Sequence, residues 1–211
     1  MTKLVLASTS PARLRLLRDG GIEPITIAPE VDEELVADEA LKAGLIHSTA
    51  DLVLLLARAK AEAVLTHPAA QGALIIGCDS SLDLDGESLG KPHEPEVAIE
   101  RWKAMRGRSG RLYTGHWLID NRETSPNPKA LGKATNTTVH FADLSDKEIL
   151  AYVDTGEPLK VAGAFTIDGL GGAFIRAIEG DSHTVVGLSL STLRELCLGL
   201  EVDYPSLWVS N

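Results

Sequence analysis

Apolar and polar positions change period several times along the chain, and each change predicts an element. Residues 3–8 (KLVLAS) are a short apolar run of strand type. Ser10 and Pro11 open a helix, Ser10 as N-cap and Pro11 at the first helical position. Leu14 and Leu17 form its stripe, and Gly20 and Gly21 end it. PITIAPEV (24–31) predicts a second strand that enters the acidic run EVDEE. Residues 31–46 have no clear period and read as loop and short helix. From Thr49 to Thr66, Leu52, Leu55, Leu56, Ala59 and Ala63 recur at helical spacing, with Pro68 just beyond. ALIIGCD (73–79) is a buried strand ending in an acid, and Asp85-Gly86 marks a hairpin turn.

Residues 94–106 predict a helix holding Val97, Ile99 and Met105. RLYTGHWLID (111–120) and KATNTTVHFA (133–142) alternate like two antiparallel strands, with a polar loop over 121–130 between them. Ser145 caps the next helix, and Glu148 closes a capping box. GAFTIDGLGGAFIRAI (163–178) reads as two short strands around glycines, and residues 184–198 as a final amphipathic helix. Strands and helices alternate early, and antiparallel strands dominate the middle. The fold class is therefore mixed α/β, a twisted central sheet flanked by helices.

The 211 residues suit one large domain or two small lobes. The N-terminal MTKLVLAS reads as a buried strand rather than a signal peptide. The most apolar stretch, DLVLLLARAKAEAVL, is interrupted by Arg58, Lys60 and Glu62, so no membrane association is expected. Cys78 and Cys197 lie far apart in sequence, and a reduced, cytoplasmic protein is the simplest reading.

Charge narrows the partners. Thirty Asp and Glu against 20 Lys and Arg give a net charge of −10, and aromatics are 4% of the chain. Neither a basic face for duplexes nor stacking platforms for single strands are expected, so nucleic acid is not a partner. A small anion arriving with a metal cation suits this field better.

The strand–loop–helix at LASTSPARLRLL has the makings of an anion site. Unpaired backbone N–H groups and the positive dipole end face outward at a helix start. Ser8, Thr9 and Ser10 add hydroxyls, and Arg13 sits in the first turn, where the dipole disfavours a cation unless an anion lies between. A plain capped helix with a solvated arginine explains the spacing too. Lys60 on its Ala/Leu-rich helix reads, taken alone, as a snorkelling surface lysine. Lys91, in LGKP after the hairpin, is a phosphate-ligand candidate on a constrained loop. Asp79 stands at a strand's carboxyl end, where α/β sheets gather ligands, and with Ser80 beside it could hold a divalent metal or activate water. Asp32, Glu33 and Glu34 are further metal oxygens or a solvated acidic face. His116 and His183 show no ligand spacing and read as local structure. Walker A and GxSxG motifs are absent from the sequence.

In order along nearly the whole chain, LASTSPARLRLL, PEVDE, ARAKA, IIGCDS, GESLGKP, GRLYTGH, LSDKEILAYVDTGEPL, AGAFTIDGLGGAFI and VVGLSLSTLREL resemble the Maf (septum formation, Maf-like) nucleotide pyrophosphatases. The resemblance implies one Maf-like domain over 1–211, with two lobes around a cleft, like the inosine triphosphatase group, and a homodimer. It implies metal-dependent (Mg2+ or Mn2+) cleavage of a nucleoside triphosphate between the α- and β-phosphates, releasing the monophosphate and pyrophosphate. House-cleaning of non-standard nucleotides and arrest of cell division go with the family. By position, Asp79 matches the general base. Ser8, Ser10, Arg13, Lys60 and Lys91 fall in the phosphate set, Glu33 and Asp79 are the metal acids, and Ser80 stands where threonine is common. Three places depart from the family pattern. Ala12 replaces the arginine or tryptophan of the known branches, Asp168 replaces a glutamine near the base, and KVAG replaces DKAG. Base preference is therefore not inherited. A non-catalytic nucleotide-binding regulator of cell division is the competing reading, and an acidic scaffold without ligand is a third.

Overall fold

The structure, a computed structural model, describes residues 2–123 and 128–209; residues 124–127 of the expected polar loop lie outside them. In chain order its elements are β1 (Lys3–Ala7), α1 (Pro11–Asp19), β2 (Ile25–Ile27), α2 (Glu33–Lys42), α3 (Thr49–Ala63), β3 (Ala73–Leu84), β4 (Glu87–Leu89) and α4 (Pro95–Met105). They continue with β5 (Ser109–Asn121), β6 (Lys129–Phe141), α5 (Asp146–Asp154), β7 (Ile175–Glu179), α6 (Ser182–Val186) and α7 (Leu190–Gly199). Two compact units result: Met1–Asp79 with Thr114–Thr135 and Gly187–Asn211, and Ser80–Tyr113 with Asn136–Val186. This is the mixed α/β class that the periodicity predicts.

In the first unit β1 lies between β2 and β3 and is parallel to both, with Val5 opposite Ile25 on one side and Ile75 on the other. A parallel strand with neighbours on both edges is covered on both faces, so it reads as an unbroken apolar run. Leu4, Val5, Leu6 and Ala7 are all buried accordingly. A cluster of Val5, Ala7, Ala61, Val64, Ala73, Ile75 and Ile119 packs α3 onto this sheet. Gly77 is one point of close approach. A Cβ there would stand 2.2 Å from the Ala57 carbonyl oxygen and 2.8 Å from the Ala61 nitrogen. Only a residue without a side chain lets helix and strand meet at that distance.

In the second unit, the hairpin of β3 and β4 pairs Leu82 with Leu89 and Leu84 with Glu87. Its turn residues Asp85 and Gly86 both have positive φ, +56° and +88°. That is the twist an Asp-Gly turn supplies. The core centres on Trp102, which meets Phe141, Tyr152 and Phe174 edge-on. Its indole N–H donates to the Ala164 carbonyl at 2.8 Å, so a fully buried tryptophan leaves no polar atom unpaired. Ser145 and Glu148 form the expected capping box on α5.

Three expectations change and one holds. β3 does not end at Asp79 but runs on to Leu84, because Leu82 and Leu84 continue its buried face. The loop and short helix expected over 31–46 are both present: α2 is capped by Asp32, which accepts from the Leu35 N–H. Residues 163–178 form 3-10 turns at Ala162–Ala164 and Leu170–Phe174 and one strand, not two. The reason is Glu157: its carboxylate takes the N–H groups of Leu170 and Gly171, which a strand would give to a ladder. The last helix is divided. α6 ends at Val186, Gly187 has φ +112°, and Ser189 starts α7 afresh by accepting from the Thr192 N–H.

Candidate active site

Within the first unit, the loop after β1 is held by its own hydroxyls. Ser8 Oγ accepts from the Ser10 N–H at 3.1 Å, and Ser10 Oγ accepts from the Arg13 N–H at 3.4 Å as N-cap of α1. Arg13 then turns back over the loop. Its Nη1 donates to Ser8 Oγ at 3.3 Å and to the Cys78 carbonyl at 2.9 Å, and its Nε donates to the Gly187 carbonyl at 2.7 Å. The guanidinium is therefore fixed by three segments of the unit rather than solvated. Ala12 beside it is half-buried.

The acid follows immediately. Asp79 and Gly77 lie two apart on β3 and so share a strand face. That face meets α3 between Ala57 and Ala61, which sets Lys60 beside Asp79. Lys60 Nζ donates to Asp79 Oδ1 at 2.6 Å and pairs with Glu33 Oε1, at the start of α2, at 2.9 Å. Lys60 is 6% exposed and Asp79 8%. The snorkelling reading of Lys60 is thus corrected: the ammonium is buried between two carboxylates. A helix that looks like an ordinary apolar stripe carries one charge on its inner face, and the sheet supplies the partner. Glu33, too, is a partner of this cluster, with its side chain still partly exposed.

Ser80, Lys91 and Asp168 belong to the second unit. Ser80 is half-buried on β3, Lys91 is exposed after β4, and Asp168 is exposed in the turn before Leu170. That turn is organised by Glu157, which the sequence reading passed over. Its Oε1 accepts from Tyr152 Oη at 2.9 Å, Thr166 Oγ1 at 2.6 Å and the Gly171 N–H at 2.9 Å, while Oε2 accepts from the Leu170 N–H at 2.9 Å. Burial pushes this carboxyl up, but the hydrogen bonds from Thr166, Gly171, Leu170 and Tyr152 outweigh it and hold it below the ordinary range. The signal available was the Gly-Glu-Pro turn before a glycine-rich run, since such a run exposes N–H groups that need an acceptor. The carbonyls of Cys78 and Gly187 were also missed, as backbone contacts leave no mark in residue type.

Burial raises the Cys78 thiol to about 11, against the pull of Arg13 and Lys60, so it is not a thiolate at neutral pH. Cys78 and Cys197 are both free and buried. Among the described residues no group of three or more His, Cys, Asp or Glu gathers that could hold a metal ion. Asp79 and Glu33 do converge on one point, now taken by the Lys60 ammonium. Two oxygens without a cage suit Mg2+, which commonly takes one or two carboxylates and completes its shell with water and substrate phosphates. They do not suit a resident structural ion. No helix among the described residues is long and apolar enough to cross a membrane.

Fold and site together define a mixed α/β protein with a hydroxyl-rich helix start next to a buried lysine held between two acids. Comparison with known proteins sharpens this class. The family model described as Maf-like protein matches residues 3–199. A protein of Leifsonia xyli subsp. xyli named nucleoside triphosphate pyrophosphatase is 54% identical, covering 98% of this chain and 96% of its own. Proteins with the same name from Salinispora tropica and Nostoc punctiforme are 53% and 47% identical, covering 98% and 97% of this chain and 87% and 96% of their own. Among solved structures, the Staphylococcus aureus Ham1 protein covers 95% of this chain and 96% of its own, with a TM-score of 0.44 and 15% identity. The chain belongs to the Maf-like protein family.

Proposed function

We propose that this protein is a nucleoside triphosphate pyrophosphatase that cleaves the α–β phosphoanhydride of its substrate. The name carried by relatives up to 54% identical supports the substrate class. The observation that carries the reading is local: the acid Asp79 lies 2.6 Å from Lys60 and follows the very residue, Cys78, whose carbonyl grips Arg13. Acid and cations thus converge on two successive positions of one strand.

In this reading the N–H groups at the start of α1, with Ser8, Ser10 and Arg13, bind polyphosphate oxygens, and Lys60 adds a fixed positive charge. Lys91 is the second unit's candidate phosphate cation. Asp79 orients a water, and takes its proton, for in-line attack on the α-phosphorus. Pyrophosphate is then the leaving group and the nucleoside monophosphate the other product. Asp79 and Glu33 would hold a magnesium ion, which when bound would supply neutralisation of the phosphate charge. Ala12, Ser80 and Asp168 are the candidate specificity positions. An alanine where a large base contact is expected argues for a broad pocket. A homodimer and a cytoplasmic location, where nucleoside triphosphates are made and used, belong to the same reading.

The test is a panel of standard and modified nucleoside triphosphates, with and without Mg2+, followed by pyrophosphate release. Turnover of at least one triphosphate to the monophosphate and pyrophosphate is expected. Tight binding without turnover would replace the enzyme by a nucleotide-binding regulator, and neither would leave a scaffold.

A further inference from the structure

His116 is fully buried on β5, yet the proposed chemistry leaves it without a role. Its Nε2 lies 2.8 Å from the Ser189 backbone nitrogen. A backbone N–H can only donate, so Nε2 accepts and is unprotonated. The ring hydrogen is then on Nδ1, which points at the Lys133 carbonyl at 3.3 Å. A neutral imidazole in one tautomer therefore ties β5 to the residue that starts α7.

Two residues before Ser189 stands Gly187, at φ +112°. Its carbonyl receives the Arg13 Nε–H at 2.7 Å. The turn of Gly187, Leu188 and Ser189 is thus held at its far end by His116 and by the Ser189 cap of α7, and at its near end it holds Arg13. All of these residues lie in the first unit.

We propose that His116 is a positioning residue for phosphate recognition, which sets the Arg13 guanidinium through the Gly187–Ser189 turn. The inference rests on the reading of Arg13 as a phosphate ligand. His116 touches no substrate. It accepts the Ser189 N–H and so helps hold the turn in which the Gly187 carbonyl accepts from Arg13 Nε, while the Cys78 carbonyl accepts from Nη1.

Calorimetric binding of inorganic tripolyphosphate to the whole protein tests this without relying on turnover. His116→Leu removes the acceptor, Arg13→Ala removes the cation, and the double variant closes the cycle. Each single change is expected to weaken binding about tenfold, with the double variant no weaker than Arg13→Ala alone, since residues acting as one unit are not additive. Effects that multiply would overturn the proposal. Should His116→Leu fail to fold, His116→Gln and His116→Asn replace it. Gln places an oxygen at the reach of Nε2 and keeps wild-type binding; Asn reaches only to Nδ1 and loses about tenfold, as the acceptor for Ser189 is gone. Equal behaviour of Gln and Asn would also overturn it. A wild type that binds tripolyphosphate with this coupling but turns over no triphosphate would refute the enzymatic reading and leave the His116 inference standing.

Discussion

Lys60 Nζ and Asp79 Oδ1 lie 2.6 Å apart, with both side chains nearly buried. Such a pair is a weak source of net stability, because both ions lose their water. Breaking it is another matter: removing one member of a buried pair costs about 3–5 kcal/mol, since the other charge is left unmatched. Glu33 softens that outcome here by giving Lys60 a second carboxylate at 2.9 Å, itself partly solvated. The arrangement therefore suits reaction more than stability. It holds an acid and a cation in fixed relation, one residue along β3 from the Cys78 carbonyl that accepts from Arg13.

Asp79→Asn keeps the shape of the side chain and a hydrogen-bond acceptor for Lys60, with Glu33 still paired. The fold should survive, within a few degrees of the wild-type Tm. Turnover should fall by at least about tenfold, or about 1.4 kcal/mol of barrier, because an amide cannot take a proton from water. Pyrophosphate release at saturating substrate checks it, and a near-normal rate would show that another acid does the chemistry.

Gly77→Ala tests how the site is built. The added Cβ would come within 2.2 Å of the Ala57 oxygen, which is backbone and has nowhere to turn. Helix α3 must lift from β3, and overpacking of this kind costs about 2–3 kcal/mol. For a chain of this size the Tm should fall by roughly 4–12 °C. Activity should fall further than stability accounts for, since Lys60 moves with the helix while Asp79 stays on the strand. An alanine variant with wild-type Tm would mean that the two backbones do not meet at Gly77.

Metal dependence should separate turnover from folding. In the proposed reading Mg2+ has two protein carboxylates and takes its remaining ligands from water and substrate, so chelation should abolish pyrophosphate release while leaving the Tm of the ligand-free protein unchanged. Differential scanning calorimetry with and without chelator, next to the activity assay, reads both. A Tm that drops on chelation would point to a resident ion.

These features were unequally legible in the sequence. Ser10 with Pro11, Asp85 with Gly86, and Ser145 with Glu148 carry their geometry in local chemistry, and the structure has each as a cap or turn. The buried run of β1 was equally plain. Lys60 was not, because burial of a charge depends on what lies opposite: Asp79 is 19 positions further on, and Gly77 decides that the two backbones meet. The turns over 163–174 were misread as strand because Gly and Phe patterns look extended until an acceptor such as Glu157 collects their N–H groups. Arg13 stood out by type and position, yet the carbonyls that aim it belong to Cys78 and Gly187, and a carbonyl has no letter in the sequence.

Glu157 gives the pH prediction. Its folded carboxyl is held below the ordinary value of 4.5 by donors from Thr166, Gly171, Leu170 and Tyr152, which outweigh burial. A carboxyl with a lowered folded pKa binds fewer protons folded than unfolded, so its stabilisation is fully present above the unfolded value and is lost as pH falls through the folded one. At pH 7, Glu157→Gln should lose charge-assisted hydrogen bonds and destabilise by about 2 kcal/mol. One amide oxygen must also replace a carboxylate that serves two hydroxyls and two backbone N–H groups, and its NH2 would face one of those donors. Below pH 4.5 the unfolded wild type takes up the proton first, and the gap between the two proteins should narrow as pH falls toward the lowered folded value. Urea midpoints of both proteins at pH 7, 5, 4 and 3 measure it. A gap that stays constant over that range would mean that the carboxylate charge is not what holds the turn carrying Asp168.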